Sequence, residues 1–300
     1  MNPKGYFALV LHAHLPFVRH PEYDRFLEED WYFEALTETY LPLLDVFEKL
    51  ARDGIPFRVT MSLSPTLLSM MTDPLLASRY VRYLDERIEA LAAERARTRD
   101  DPYFLPVVQF YSDLYARLRR RFVEQDRLDV TRAFRRLMEA GHLEILTCGA
   151  THGYLPLLAV NEASLYAQLS MAVRTHTRIL GRRPRGIWLP ECGYKPGIDR
   201  LLKEFGIEYF FLDTHGLLNA EPRPKYGVHR PIRTPGGPVA FARDYESSKQ
   251  VWAAEEGYPG DFLYREFYRD AGFDVDLPHI HKLRHAGVRT FTGLKYHRIT

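Results

Sequence analysis

A repeated junction limits most strongly how this chain can fold: an amphipathic helix stops at a glycine, and a short apolar, β-branched or aromatic run begins at once. Gly54 precedes residues 55–62 (IPFRVTMS), Gly141 precedes 142–147 (HLEILT), Gly206 precedes 207–213 (IEYFFLD) and Gly287 precedes 288–292 (VRTFT). Gly181 stands ahead of RRPR and then 186–190 (GIWLP). A glycine just past the last helical turn takes the left-handed conformation without a Cβ penalty. Five helix, cap, strand units in one direction imply right-handed β–α–β repeats and a parallel sheet.

Strands are expected at residues 6–11, then ending near Ser62, near Cys148, at Pro190 and at Asp213, with a sixth at 239–243 (VAFAR). The glycine-capped ends have mostly short loops, whereas the other ends open into long polar ones. That asymmetry describes an α/β barrel with its active site at the C-terminal ends of the strands. A Pro/Gly-rich stretch, residues 214–238, reads as an excursion over the barrel mouth. Helical stripes are expected at Leu36, Tyr40, Leu43, Phe47 and Leu50, with Pro42 marking a kink or a late start. Further stripes run through Phe110, Leu114, Leu118 and Phe122, and through Leu165, Leu169, Val173, Ile179 and Leu180.

Composition narrows the class. Lys+Arg 41 against Asp+Glu 39 leaves +2, too balanced for a nucleic-acid or membrane-surface footprint. The arginine-rich stretch 94–136 intersperses its cations with acids and reads as a solvated helix face. Two cysteines, Cys148 and Cys192, exclude a disulfide framework and point to a reducing cytoplasmic compartment. The apolar run 6–11 is too short for a signal-peptide core, and no stretch approaches a membrane span of about 20 apolar residues. Tyr 19, Phe 18 and Trp 3 fill a core first, and sugar-stacking surfaces near polar motifs are the other use, a choice the count alone leaves open.

Ionisable or hydroxyl groups sit past every expected strand: His12 and His14, Ser62 and Ser64, His152, Glu191, Asp213 and His215, Arg243 and Asp244. His12 and His14 are two apart in an extended segment, so both rings point to one side. Three readings are open: a metal site completed by His152 or the cysteines, hydrogen bonding to a ligand, or a structural role. The lack of a carboxylate at metal-ligand spacing favours ligand binding with no metal. Glu191, between Pro190 and Cys192, is a surface charge, an ion-pair partner or a rigidly held carboxylate nucleophile. Cys148 and Cys192 read as small buried hydrophobes.

The strings HAHLPFVRHPE, TCGATHGYLPLL, WLPECGY, SSKQVWAAEEGYPGDFLYREFYRD and GLKYHRIT resemble glycoside hydrolase family 57, specifically its 1,4-α-glucan branching enzymes. The resemblance runs from about Gly5 to Thr300 and implies a distorted (β/α)7 barrel. It implies Glu191 as nucleophile, His12, His14 and His152 along the donor sugar, and Trp31 and Trp252 as aromatic walls. Tyr154 and Tyr194 are further candidates to face sugar. Arg243 and Gly260 match substrate-contact positions, and Asp213 and Asp244 take supporting roles. The implied chemistry is retaining transfer from an α-1,4-glucan donor to the 6-hydroxyl of an α-glucan acceptor, with no cofactor and no nucleic-acid or membrane partner.

The family's acid/base aspartate lies beyond a segment like GLKYHRIT, after which this sequence stops. The expectation is therefore a fragment of a longer enzyme, a catalytic barrel over residues 1–300 that is incomplete at its C-terminus. Asp213 or Asp244 as the acid is the alternative. Rival activities are α-amylase or 4-α-glucanotransferase of the same family, a metal-dependent deacetylase-like barrel, and a non-catalytic glucan-binding remnant.

Overall fold

The computed structural model describes residues 5–285 and 287–300. Two compact units share the chain. The first combines the described residues up to Phe17 with Val46–Thr72 and Thr131–Ser248; the second combines Val18–Asp45, Asp73–Val130 and Lys249–Thr300.

The first unit holds a seven-stranded sheet. Its strands are β1 (Val10–Ala13), β2 (Val59–Leu63), β3 (Leu143–Cys148), β4 (Gly186–Trp188), β5 (Tyr209–Leu212), β6 (Ile232–Arg233) and β7 (Val239–Ala242). The order is β1-β2-β3-β4-β5-β7-β6. Every pairing is parallel except β6 on β7, and the sheet is not closed, its edges being β1 and β6. The predicted parallel α/β architecture is present.

The glycine junctions explain the repeat. Gly54, Gly141, Gly181 and Gly206 all have φ between 69° and 81°. After three of them the chain folds back with a bond to the helix five residues earlier: Ile55 N–H to Leu50 O, His142 N–H to Leu137 O, and Ile207 N–H to Leu202 O. Each cap aims the following residues at the sheet. Gly186 does a different job, because a Cβ there would stand 2.5 Å from the Tyr209 ring and 2.8 Å from Leu146.

Several expectations shift. The first strand occupies Val10–Ala13 rather than 6–11, because β2 begins only at Val59, after Pro56, which has no N–H for a ladder. His12 therefore lies within the strand, not past it. The run after Gly287 forms no strand of the sheet; its pairing is one antiparallel bridge, His285 to Val288. Two-residue β6, inside the Pro/Gly-rich 214–238 stretch, was not anticipated. The core beside β4, β5 and β7 gathers Leu165, Leu169, Ile187, Leu202, Phe210 and Ala240, so the stripe of the helix Glu162–Leu180 faces inward as its period requires.

The second unit is helical, with long helices Pro74–Arg97 and Phe104–Arg120. Ahead of Pro42 the chain makes a π turn, Leu36–Tyr40, in which the Leu41 N–H reaches back to Leu36 O. The wide turn takes up the irregularity that the proline imposes on the preceding carbonyls.

The stripe of Phe104–Arg120 is Val108, Tyr111, Tyr115 and Leu118, continuing to Phe122, and Phe110 is 60% exposed. Steps of three and four hold one face, whereas successive steps of four rotate about 40° each. The arginine-rich stretch is mostly solvated, but Arg121 is buried between Asp126 and Asp45. Among the described residues no helix is long and apolar enough to cross a membrane.

Candidate active site

Parallel register builds the site. His12 stands opposite Ser62, and its Nδ1 lies 2.6 Å from Ser62 Oγ. Two residues on, His14 Nδ1 lies 3.0 Å from Ser64 Oγ. Ser64 also caps the helix Pro65–Met71, which fixes its hydroxyl. His152 comes from the loop after β3, where its φ of 58° turns the ring back over the strand ends. It stacks on His14 with centroids 3.7 Å apart, and its Nε2 is 3.1 Å from His12 Nε2. Trp188, at the end of β4, stacks on His12 at 4.7 Å and on Phe211 at 5.9 Å. Trp188 was missed as a site residue; the signal was its place in the short apolar run that leads directly to Glu191.

These imidazoles are held neutral. Desolvation, then the neighbouring His152 and His14, push His12 down to about 3, although its outer edge stays accessible. Desolvation and His152 bring His14 to about 4. His152 is lowered as well by burial, against the attraction of the Glu191 carboxylate.

Glu191 follows β4 in a tight turn, Pro190–Cys192, with φ 53° and ψ 28°. Cys192 continues with φ 54°. Left-handed non-glycine residues cost about 1–3 kcal/mol each and persist where their surroundings overrule them. Here Leu189 and Pro190 are buried, and the Gly193 N–H bonds Pro190 O. A Cβ on Gly193 would fall 2.3 Å from the Tyr154 ring. The carboxylate is thus exposed on a turn anchored on both sides.

Burial lifts the Cys192 thiol to about 11 despite the Arg243 guanidinium beside it, and Asp213 adds to the rise. Cys148 is fully buried, with its thiol 3.2 Å from Trp188 O and raised by desolvation. Both cysteines are free.

The other expected residues separate. Asp213 caps the short helix Thr214–Leu218, bonding the Thr214 N–H at 2.7 Å, and Asp244 caps Tyr245–Trp252 through Ser247. Both carboxylates do local structural work at the ends of β5 and β7. Tyr154 is 42% exposed, while Tyr194 stacks on Phe210 at 5.4 Å and packs against the core. Trp31, Trp252 and Gly260 belong to the second unit. There Trp31 and Trp252 are exposed at 48% and 76%, and Gly260 is required because a Cβ would meet Ala254 O.

An open, mostly parallel α/β sheet that carries imidazoles, an indole ring and a carboxylate at its C-terminal strand ends has its candidate site where α/β barrels carry theirs. The chain belongs to glycosyl hydrolase family 57, whose model matches residues 8–271. A 1,4-alpha-glucan branching enzyme of Thermococcus kodakarensis is 34% identical over 89% of this chain and 43% of its own length. A probable 1,4-alpha-glucan branching enzyme of Mycobacterium tuberculosis is 30% identical over 88% and 51%. The alpha-amylase AmyC structure from Thermotoga maritima superposes with a TM-score of 0.94 at 46% identity, covering 99% of this chain and 57% of that one. The branching enzyme structure from Pyrococcus horikoshii gives 0.81 at 35%, over 90% and 52%. The chain thus spans about half the length of these relatives.

Proposed function

We propose that this chain carries the donor-sugar site of a retaining α-glucan transglycosylase, a 1,4-alpha-glucan branching enzyme. The observation that carries the reading is Glu191: an exposed carboxylate on a strained turn at a strand end, beside a neutral histidine cluster and the Trp188 ring. Curated relatives that match nearly nine-tenths of the chain support the branching activity.

In this reading a Glu191 oxygen attacks the anomeric carbon as the α-1,4 bond breaks and an acid protonates the leaving oxygen. The conjugate base then takes the proton of an acceptor 6-hydroxyl, whose oxygen displaces Glu191 and forms the α-1,6 branch. A retaining pair stands about 5–5.5 Å apart. Asp213 and Asp244 are committed as helix caps, so the acid role is assigned to neither. His12, His14 and His152, being neutral, both donate to and accept from sugar hydroxyls. Arg243, Trp31, Trp252 and Gly260 are proposed substrate contacts.

A second reading, α-amylase, is favoured by the Thermotoga structure at 46% identity. Incubating the full-length protein with amylose and resolving α-1,6 linkages by proton NMR separates the two. Branched product is expected; short linear chains without α-1,6 signal would overturn branching and leave hydrolysis.

A further inference from the structure

We propose that His12, His152 and Cys148 form a binding site for a thiophilic divalent cation, zinc, at the ends of β1 and β3. The three donor atoms lie within 4.8 Å of one another. With Zn–N near 2.0–2.1 Å and Zn–S near 2.3 Å, donors around one tetrahedral ion stand about 3.3–3.7 Å apart. The His12 Nε2 to His152 Nε2 separation of 3.1 Å is already close to that spacing. The Cys148 sulfur, 3.2 Å from Trp188 O, completes a set whose donor atoms must draw in from at most 4.8 Å to that spacing.

The surroundings orient the donors as zinc sites do. Ser62 Oγ accepts from His12 Nδ1–H, which leaves the His12 Nε2 lone pair facing His152. The stack on His14 fixes the plane of the His152 ring. Binding replaces the proton shared between the two Nε2 atoms. His152 then carries its proton on Nδ1, and the Cys148 thiol loses its proton to solvent as the Zn–S bond forms. The outer, accessible edge of His12 leaves a fourth position for water. Imidazole and thiolate donors without a carboxylate suit zinc rather than magnesium or calcium. The inference rests on donor geometry, and zinc held by His12 and His152 would compete with a sugar for the same ring nitrogens.

Chelator-stripped protein titrated with zinc chloride in a calorimeter is expected to bind one equivalent. Cobalt(II), used as the optical probe, is expected to show a sulfur-to-metal charge-transfer band in the near ultraviolet. Cys148→Ser should abolish that band, and Cys192→Ser should leave it. Ser62→Ala should weaken zinc by about 10–100-fold. If Cys148→Ser does not fold, His152→Gln takes its place, with zinc affinity as the readout. Absence of stoichiometric uptake, or a band that survives Cys148→Ser, would overturn the site.

Discussion

The two compact units differ in how much charge they bury. In the first, the groups at the strand ends stay reachable: Glu191 is exposed, the His12 edge is accessible, and Glu191, Cys192 and His152 sit in left-handed backbone. In the second, charge is buried inside the fold. Arg79 pairs with Glu29, Arg121 sits between Asp126 and Asp45, and the Arg87 guanidinium lies 3.2 Å over the Tyr83 ring. Asp270 is fully buried and accepts from the Gly272, Thr292 and Gly293 N–H groups and the Thr292 hydroxyl. Glu34, crowded by Glu38 and Asp30, is pushed up by burial to about 7. Perturbed ionisable groups therefore occur in both units, the site histidines in the first and Glu34 in the second, so perturbation alone does not single out the site. Left-handed polar residues occur in both units as well, Arg127 in the second, and what sets the first apart is that Glu191 and His152 adopt that backbone at the ends of adjacent strands.

The sharpest test of that contrast is Glu191. In the full-length protein Glu191→Gln should lower turnover by about a thousandfold or more with circular dichroism unchanged. Glu191→Gly should be equally inactive but unfold at higher denaturant, by up to about 1–2 kcal/mol, since it removes the left-handed penalty. Retained turnover removes Glu191 as nucleophile, and a Gly variant less stable than wild type removes the strain argument.

Next in size is Glu29→Ala, which strands the buried Arg79 cation. Urea unfolding should register a loss of about 3–5 kcal/mol, and a loss below 1 kcal/mol would show that the pair is dispensable.

The histidine cluster predicts a pH dependence of definite sign. Folded values for His12 and His14 near 3 and 4 lie below the unfolded 6.5. Between about pH 6.5 and 4 the unfolded chain binds protons that the folded chain refuses, so stability falls as pH drops through that window. Urea midpoints at pH 7 and pH 5 should separate, and the His12→Gln, His14→Gln double variant should narrow the gap. An unchanged gap would mean these rings are not the source.

The smallest effect is Phe110→Ala, within about 0.5 kcal/mol, against about 3–5 kcal/mol for Tyr115→Ala on the inward face of the same helix. Equal losses would contradict the assigned face.

What could be read in the sequence was local. The glycine caps at 54, 141, 181 and 206 act through one residue's backbone freedom, so their strands were placed from letters alone. The two-residue spacing of His12 and His14 correctly put both rings on one side. Their partners Ser62 and Ser64 depend on the register between two strands, which neither strand encodes alone. The left-handed turn of His152 had no glycine or asparagine to announce it. The run 288–292 has a strand's composition but gained no partner beyond one bridge, showing that propensity needs an edge to pair with. Two-residue β6 is too short for any period.

Two missing methyl groups have a mechanical meaning. At Gly149 a Cβ would stand 3.2 Å from the Pro190 ring, which would have to give by a few tenths of an ångström, and at Gly193 it would fall 2.3 Å from the Tyr154 ring of the opposite loop. The segment after β3 and the segment after β4 are thus keyed into each other at two points. The packing of Pro190 against Gly149 and of Tyr154 against Gly193 ties together the segments that carry His152 and Glu191. Loops tied in this way are expected to lose little freedom when a ligand binds between them, which lowers the ordering cost of binding.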